Sequence, residues 1–540
     1  MVLCAGLHVA TLFGELPEPD AALYASIARR IATSGDWINL FAYNVEWLDK
    51  PHFPFWCTAL SFKLFGVGVV SARIPALLFF GLGVFATWKL ALLTHSHAVA
   101  RIAVLAVLTS FHLVLSNADV RAEAFLVGLL TTAVWLTVRA SKAMQSNAPW
   151  LASLIGAGVF TALAMMTKGP FLALPVVCTA LLPSLFRRER LFLARWALLV
   201  PIVFITLLPE LIALWLQFDA HPEKVIFERT NVSGVRWFLW DSQFSRFVND
   251  GPIRGKGDPT FFFHTVLWAF LPWGLLLYAA VGARVLELKR RVAVADPWSW
   301  AASVPMVLVF SASRFQLPHY LNVVFPFFAI IVASWLVSVR ERLQLVSLMQ
   351  TIVLLGGSAA MTWLVWTFAV PHALLFFALL LVGAVVIAGV FFAPQVDRIV
   401  IRSVLGAVLI VSVFQFVYLP AALRFQVGGE VARVANQLPP MRTVMLELSS
   451  HAFAFELHES VMWWTETDFR NELPKGPIRV LAQQSRLDAL RAEGVSLTSR
   501  GTFRSFHASK PTLTFIDASR RESVLEIWEL AEAQQPQPQK

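Results

Sequence analysis

Charged side chains are scarce in this chain. Asp, Glu, Lys and Arg make up 14% of its 540 residues, hydrophobic residues make up 57%, and the mean hydropathy is +0.65. That charge is too little to cover the surface of a soluble protein of this size. Apolar runs close to the length of a bilayer span recur along most of the chain. The composition therefore predicts a polytopic α-helical membrane protein.

Several chemical signatures are also missing. Three cysteines occur, Cys4, Cys57 and Cys178, without metal-type spacing, so neither a disulfide framework nor a cysteine metal site is expected. No Walker A, kinase-loop or Rossmann fingerprint occurs, so we expect no nucleotide cofactor and disfavour an ATP-driven pump. The formal net charge of +10 lies largely in short loops between apolar runs, where Lys and Arg fix topology, so no nucleic acid partner is expected.

The hydropathy pattern predicts about thirteen membrane spans. Residues 1–13 form a shortened first segment with no basic n-region, which favours a span whose beginning is missing over a signal peptide. A multi-span core follows over residues 70–420. Its predicted spans are 70–93, 100–116, 120–138, 150–166, 170–186, 193–216, 262–283, 297–312, 319–338, 346–368, 370–393 and 401–420.

The basic loops predict the orientation. The segments VRASKAMQ, FRRERLFLAR, LELKRR, VRERLQ and VDRIVIR all fall on one side of this layout, which the positive-inside rule makes cytoplasmic. The opposite, periplasmic face then carries the loop 14–69, the loop 217–261 and everything after Pro420. The localisation expected from this pattern is a bacterial inner membrane.

Two outer regions have their own patterns. In the loop 14–69, DAALYASIARRIA and PHFPFWCTALSFKLFG are typical of helices lying at the membrane interface. Residues 421–530 predict a small α/β domain, with strands in RTVMLEL, IRVLAQQ and TLTFIDA and helices in GGEVARVANQL and QSRLDALRAEG. The Gln/Pro-rich tail 531–540 is expected to be disordered.

Ionisable residues cluster on the outer face, where cations are normally rare. For any one of them, interface snorkelling or a structural ion pair is a sufficient explanation. As a set they indicate a bound anion, with the acids serving chemistry or a metal. A polyprenyl phosphate fits, because its tail can lie between spans while Lys and Arg meet its phosphate. The candidates are Asp20, Asp49, Lys50, Asp119, Arg121, Glu123, Lys168, Arg246, Lys256 and Arg314.

An ordered series of segments resembles the bacterial GT-C glycosyltransferases of the aminoarabinose lipid A transferase and protein O-mannosyltransferase type. The series is PDAALYASIARRIATSGDW, WLDKPHFPFWCTALSFKLFGV, SARIPAL, MMTKGPFLALP, FHTVLWAFLPW and SRFQLPHYLNVVFPFFAI, and it spans roughly residues 12–340. The resemblance implies transfer of a sugar from a polyprenyl-phosphate donor to a lipid A, glycan or protein acceptor, among membrane lipids at the periplasmic face.

The resemblance also implies roles for individual residues. Asp20 matches the family's catalytic aspartate, Asp49 a metal ligand, and Lys50 and Tyr320 ligands of the donor phosphate. From the chemistry of a leaving phosphate, Lys168 and Arg314 are further candidate phosphate ligands. With one carboxylate base, direct attack gives inversion.

The chain departs from the family pattern at three points. Ala21 follows Asp20 where the family often has Glu, and Leu23 stands where lipid A transferases tend to have Arg. Lys256 stands where the family usually offers a histidine metal ligand, although Asp258 and His264 lie close in sequence. A divalent metal is therefore an open expectation.

Two alternatives stay open at this point. Asp20 precedes a helical pattern and is a good N-cap by residue type, so it is either a cap, a catalytic group or both. The whole protein is either a glycosyltransferase, or a lipid or sugar transporter or an inactive relative that only binds the carrier. A secondary transporter often has an internal repeat, and none is visible.

Overall fold

The protein is largely helical in the computed structural model, which describes residues 1–186, 191–244, 255–290, 296–339 and 341–534. Within these residues, eight helical stretches are long and apolar enough to cross a membrane, and a pair bent by 52°, His97–Thr109 and Phe111–Asp119, would make a ninth. The eight are Val69–Thr94, Ala122–Gln145, Leu151–Lys168, Ala194–Asp219, Pro318–Ser338, Leu343–Thr367, Ala373–Val390 and Val396–Leu423. The polytopic helical fold is confirmed, and the number thirteen stays a prediction.

Shorter helices complete the membrane part. Val2–Phe13 and Pro170–Leu181 are apolar but shorter than a span, and they coincide with two predicted segments. The other helices of this part are Asp20–Ser34, Phe53–Phe65, Gly234–Arg236, Phe261–Ala269, Gly274–Lys289 and Pro297–Ala312.

The predicted span 262–283 is wrong as a single helix. The segment 262–283 is divided into Phe261–Ala269 and Gly274–Lys289, with Pro272 between them. Proline lacks the N–H that a continuing helix needs and restricts the residue before it, so the apolar run does not form one rod. Hydropathy alone did not distinguish a continuous span from this interrupted one.

Two helices form the loop 14–69, as the sequence predicts. Asp20–Ser34 buries its alanine, Tyr24 and isoleucine face and ends at Gly35, whose φ of 76° lies in the left-handed region that closes helices. A short hairpin follows, in which β1 (Phe41–Ala42) pairs antiparallel with β2 (Val45–Glu46). Phe53–Phe65 has a proline in its first turn, where no backbone donor is lost, and it packs on the first helix. The loop is therefore a folded unit.

The C-terminal residues form a five-stranded mixed sheet, which confirms the predicted small α/β domain. The strands are β3 (Thr443–Leu446), β4 (Val461–Trp464), β5 (Ile478–Gln483), β6 (Ser496–Ser505) and β7 (Glu526–Gln534). The strand order is β4-β3-β5-β7-β6; β3 pairs parallel with β4 and β5, and β7 pairs antiparallel with β5 and β6. The helices of this domain are Gly428–Asn436, His451–Glu456, Glu466–Glu472, Gln484–Ala492 and Leu513–Ile516.

The sequence located part of this domain correctly. The predicted strands in RTVMLEL and IRVLAQQ and both predicted helices are present. TLTFIDA is instead the short helix Leu513–Ile516, where the Thr512 hydroxyl accepts from the N–H of Phe515 and caps the turn. β7 also continues to Gln534, so residues 531–534 of the predicted tail belong to the sheet, and the last residues of the tail lie outside the described residues.

The loop 14–69 forms hydrogen bonds with both ends of one helix of the C-terminal domain. At the start of His451–Glu456, the buried Glu18 carboxylate accepts from the Ser450 hydroxyl at 2.8 Å and the Ala452 N–H at 2.5 Å. At its other end, Arg29 donates to the carbonyls of Phe455 at 2.7 Å and Leu457 at 2.5 Å. An acid at a helix N-terminus and a cation at its C-terminus both complement the helix dipole. The domain is thus fixed to the loop that carries Asp20.

Candidate active site

Asp20 is the first residue of its helix and its side chain caps nothing. The N-cap position is Pro19, and no side-chain cap hydrogen bond is formed. The Asp20 carboxylate instead lies 3.5 Å from Nε of Arg121, and its side chain is 34% exposed. The capping interpretation of Asp20 therefore has no support in the structure.

Arg121 connects three elements. Its guanidinium pairs with Asp119 as well as Asp20 and donates to Nδ1 of His319 at 2.8 Å. Burial disfavours the charged guanidinium, but the neighbouring acids outweigh burial and raise the pKa of Arg121. Val120 lies between Asp119 and Arg121 in the sequence. Its φ of 48° lies in a region that β-branched residues seldom adopt. Such strain persists where the surroundings enforce it and is often found at functional sites.

A second ion pair lies deeper, between Glu123 and Lys168. Both side chains are nearly buried, with 3% and 7% of their surfaces exposed. The Lys168 ammonium lies 3.7 Å above the centroid of the Tyr320 ring, and His319 Nε2 lies 3.9 Å from the Glu123 carboxylate. Contacts therefore run without a break from Asp20 through Arg121, His319 and Glu123 to Lys168.

Two adjoining clefts open beside Lys168. The Phe310 cleft is lined mainly by Phe171, Val309, Phe310, Phe315 and Tyr320. The Trp237 cleft is lined by Lys50, Trp237 and Phe238 among others. Asp49, Lys168 and Ser242 line both clefts. One cleft is thus mostly aromatic and apolar, whereas the other presents charge.

Lys50 and Asp49 form an ion pair at this junction, with Nζ and Oδ2 2.5 Å apart. Their side chains are 16% and 19% exposed, so the pair can be reached from solvent. Lys50 lines the Trp237 cleft, and Asp49 lines both. The structure therefore brings Asp49, Lys50, Lys168 and Tyr320 together at the two clefts.

Tyr24 was not singled out from the sequence, yet it lies among these groups. It is buried in the helix that Asp20 begins. Burial raises the pKa of Tyr24, and the charges of Asp20, Asp49 and Glu123 raise it further. The charges of three acids from separate parts of the chain thus disfavour deprotonation of the Tyr24 hydroxyl. Its position four residues after Asp20, one helical turn away, was the signal available in the sequence.

Among the described residues, the remaining candidates line neither cleft. Arg314, Lys256, Asp258 and His264 are exposed. Asp258 accepts from the N–H and hydroxyl of Thr260, so its carboxylate stabilises a turn before the helix Phe261–Ala269. Arg246 lies outside the described residues.

The described side chains do not form a metal site. No group of three or more His, Cys, Asp and Glu side chains occurs among them with the spacing that holds a metal ion. Asp49 pairs with Lys50, and a cation at that position competes electrostatically with a metal. These residues do not fit a divalent metal, so we derive no step through one.

A buried pair below the Trp237 cleft was also missed from the sequence. Nδ1 of His52 lies 2.9 Å from the Glu210 carboxylate, and neither side chain is exposed. Burial opposes a charge on His52, but Glu210 outweighs it and raises the pKa of the imidazole. Glu210 is an acid within an apolar stretch, which indicates a buried partner, but the sequence does not identify that partner as a histidine 158 residues earlier.

Comparison with known proteins supports the relationship seen in the sequence. Residues 49–213 match the family described as dolichyl-phosphate-mannose-protein mannosyltransferase. The chain is 27% identical over 376 residues to an undecaprenyl phosphate-α-4-amino-4-deoxy-L-arabinose arabinosyl transferase of Edwardsiella ictaluri, covering 66% of this chain and 63% of that protein. It is 26% identical over 360 residues to a similarly named protein of Pseudomonas fluorescens, covering 64% of this chain and 57% of that one. The matched regions thus span less than two thirds of these relatives.

Solved structures extend the likeness to the whole chain. ArnT from Cupriavidus metallidurans bound to undecaprenyl phosphate superimposes with a TM-score of 0.78 at 18% identity, covering 98% of this chain and 97% of that one. Its apo state superimposes with a TM-score of 0.69, also at 18% identity, covering 97% and 96%. At this identity the likeness establishes the fold.

The helical core, the folded first loop and the appended sheet domain give the chain an ArnT-like GT-C fold. Within that class, the chain resembles the aminoarabinose lipid A transferases and the protein O-mannosyltransferases, as the ordered sequence segments predict.

Proposed function

We propose that the protein is a glycosyltransferase. It moves a sugar from a polyprenyl-phosphate carrier to a lipid A, glycan or protein acceptor at the periplasmic face of a bacterial inner membrane. The observation that carries this proposal is the convergence of Lys50 and Lys168 on two joined clefts, with a chain of contacts from Lys168 to Asp20. The names of the relatives support an undecaprenyl-phosphate sugar as the donor.

The donor phosphate binds where the two clefts meet. Lys50 is a point charge within reach of solvent, and Lys168 lies at the same junction, so both cations meet a phosphodiester that enters there. The aromatic side chains of the Phe310 cleft suit a prenyl chain. In such a water-poor site, fixed cations stabilise the phosphate charge that grows as the anomeric bond breaks.

Asp20 is the base. Of the three acids linked to Arg121 and Lys168, it has the most exposed side chain, 34% against 18% for Asp119 and 3% for Glu123. It accepts the proton of an acceptor hydroxyl while that oxygen bonds to the anomeric carbon, and the phosphate leaves with the electrons of the broken C–O bond. A single displacement inverts the anomeric centre. If the acceptor is a phosphate, Asp20 orients it instead, because there is no proton to remove.

The orientation is part of the proposal. Hydrogen bonds connect the loop 14–69 to the C-terminal domain, so the two lie on the same side of the membrane. The five basic loops fall on the opposite side of the predicted layout, which supports a periplasmic position for the site and the domain.

The test is sugar transfer by the purified protein from undecaprenyl-phosphate sugars to lipid A, with a parallel measurement of undecaprenyl phosphate binding. Comparison of lipid A and cell-envelope glycans by mass spectrometry, with and without the gene, identifies the acceptor. Transfer supports the proposal. Carrier binding without transfer to any envelope acceptor would indicate an inactive relative, and movement of carrier across vesicles without chemistry would indicate a transporter.

A further inference from the structure

His319 is a buried histidine between the two ion pairs of the site. Its Nδ1 lies 2.8 Å from Nη1 of Arg121, the partner of Asp20. Its Nε2 lies 3.9 Å from the carboxylate of Glu123, the partner of Lys168. His319 lines neither cleft, and its side chain is only 8% exposed. Any effect of this residue on the reaction must therefore pass through its neighbours.

The contact with Arg121 determines which nitrogen of His319 carries the proton. A guanidinium has N–H donors and no acceptor, so Nδ1 of His319 must accept this hydrogen bond. A histidine that accepts at one ring nitrogen is neutral and carries its proton on the other, here Nε2, on the side of Glu123. A protonated His319 would present a donor and a positive charge to Arg121. The ring therefore serves as an acceptor for the guanidinium.

The backbone and the neighbouring rings restrict the His319 ring. It lies in the short helical turn Pro318–Val324, which has a proline at its start. The Tyr320 ring approaches it edge-on with centroids 5.1 Å apart, and the His112 ring stacks on it at 6.5 Å. His112 is itself hydrogen-bonded to Asn322, with Nδ1 and Oδ1 3.0 Å apart. A ring restricted in this way keeps its Nδ1 in one position.

Two acids compete for Arg121. Its Nε pairs with Asp119 and with Asp20, and the contact with Asp119 is the shorter of the two. The hydrogen bond to His319 is made by a different nitrogen, Nη1, so it fixes the plane of the guanidinium independently of the acids. Without this bond the guanidinium can turn towards Asp119. Asp20, with a side chain that is 34% exposed, would then lose the cation that orients its carboxylate.

We propose that His319 is a positioning residue, which holds the Arg121 guanidinium in the orientation that keeps the Asp20 carboxylate in place for the acceptor. The inference rests on the proposed function, in which Asp20 is the base. Displacing a reacting group by about 1 Å can cost roughly 10²-fold in rate. The role of His319 should therefore be visible in kcat and not in the affinity for the carrier, because Lys50 and Lys168 bind the carrier phosphate.

The experiment compares His319→Asn with His319→Gln. Both side chains are neutral amides, but the asparagine oxygen is as many bonds from Cα as Nδ1 is, whereas the glutamine oxygen corresponds to Nε2. We expect kcat for sugar transfer to be about tenfold higher in His319→Asn, the lower end of the effect of one hydrogen bond to a charged group. Both variants should bind undecaprenyl phosphate as the parent does. Transfer is measured on the purified full-length protein at saturating donor, beside thermal unfolding in the same detergent.

A second measurement tests whether His319 acts through Arg121. In the Arg121→Met background the guanidinium donor is absent, so His319→Asn and His319→Gln should then have the same kcat. His112→Gln is the control, because its ring stacks on His319 but is hydrogen-bonded to Asn322 instead of Arg121. It should leave kcat unchanged. If His319→Gln does not fold, His319→Phe replaces it in both comparisons, since phenylalanine keeps a ring and has no acceptor.

Equal kcat in His319→Asn and His319→Gln would overturn the inference, as would a difference that persists in the Arg121→Met background. A matching loss of kcat in His112→Gln would also overturn it, because packing of the rings would then explain the effect. Weaker carrier binding that accompanies the loss of kcat would show a structural role instead of a positioning one. Absence of transfer by the parent protein would contradict the proposed function, and the inference with it.

Discussion

The Asp20 carboxylate lies 3.5 Å from the guanidinium of Arg121. The same guanidinium also pairs with Asp119. Asp20 begins the first outer helix, and Arg121 directly precedes the span Ala122–Gln145, so this contact joins the loop to the membrane core. Because Arg121 keeps Asp119 as a partner, removing the charge of Asp20 leaves no cation unpaired. The chemistry of Asp20 can therefore be tested separately from the stability of the fold.

Asp20→Asn should lower sugar transfer by roughly 10²-fold or more, the scale of losing a general base. The side chain keeps its size but loses its charge and nearly all its basicity. The thermal unfolding midpoint should stay close to that of the parent, because a partly exposed ion pair contributes little. The measurements are transfer from an undecaprenyl-phosphate donor and an unfolding curve in the same detergent.

Asp397→Asn serves as the control for Asp20→Asn, since Asp397 is an exposed acid that also lies in the first turn of a helix. It should transfer sugar at the parental rate. A folded Asp20→Asn variant with parental turnover would remove Asp20 from the mechanism and direct attention to Asp49, Asp119 and Glu123.

Lys50→Ala should weaken binding of undecaprenyl phosphate, because it removes one cation from the junction of the two clefts and leaves Lys168 there. A charge-assisted contact of this kind contributes about 1.5–3 kcal/mol, so the dissociation constant should rise roughly 10- to 100-fold. Lys50→Arg should retain part of the affinity, since either cation can bind a phosphate. Lys63→Ala, which removes an exposed lysine from the next helix, is the control. Equal carrier binding by Lys50→Ala and Lys63→Ala would exclude Lys50 as a phosphate ligand.

How much the sequence could predict depended on distance along the chain. Asp49 and Lys50 are neighbours and Asp20 begins a recognisable helix, so local patterns located them. Lys168 was found as a cation on the predicted outer face, and Tyr320 was found through a segment that resembles a family. The partnerships of Arg121 with His319, and of His52 with Glu210, join residues 198 and 158 positions apart, and no local pattern encodes them. The division of the segment 262–283 was missed because hydropathy measures composition and not backbone continuity.

The orientation can be tested with reporters. A periplasm-specific reporter fused after Ala421 should be active, because five basic loops fall on the opposite side of the predicted layout. The same reporter placed after Gln145, next to the basic segment VRASKAMQ, should be inactive. Activity of a cytoplasm-specific reporter at Ala421 would reverse the layout and move the proposed site to the cytoplasmic face.

Glu18 should make stability depend on pH in an identifiable direction. Burial raises the pKa of Glu18 above its ordinary value of 4.5, although the Ala452 N–H and the Ser450 hydroxyl partly oppose the shift. Above pH 4.5 the folded protein therefore retains a proton that the unfolded chain has lost, so this residue lowers the free energy of unfolding as pH rises towards its folded pKa.

Glu18→Gln stays neutral and can still accept from both donors, so its unfolding midpoint should fall less than that of the parent between pH 4.5 and 7. Glu430→Gln, which alters an exposed acid of the same domain, should follow the parent. A parental midpoint that rises with pH relative to Glu18→Gln would show that the hydrogen bonds from the C-terminal domain outweigh burial and stabilise the carboxylate.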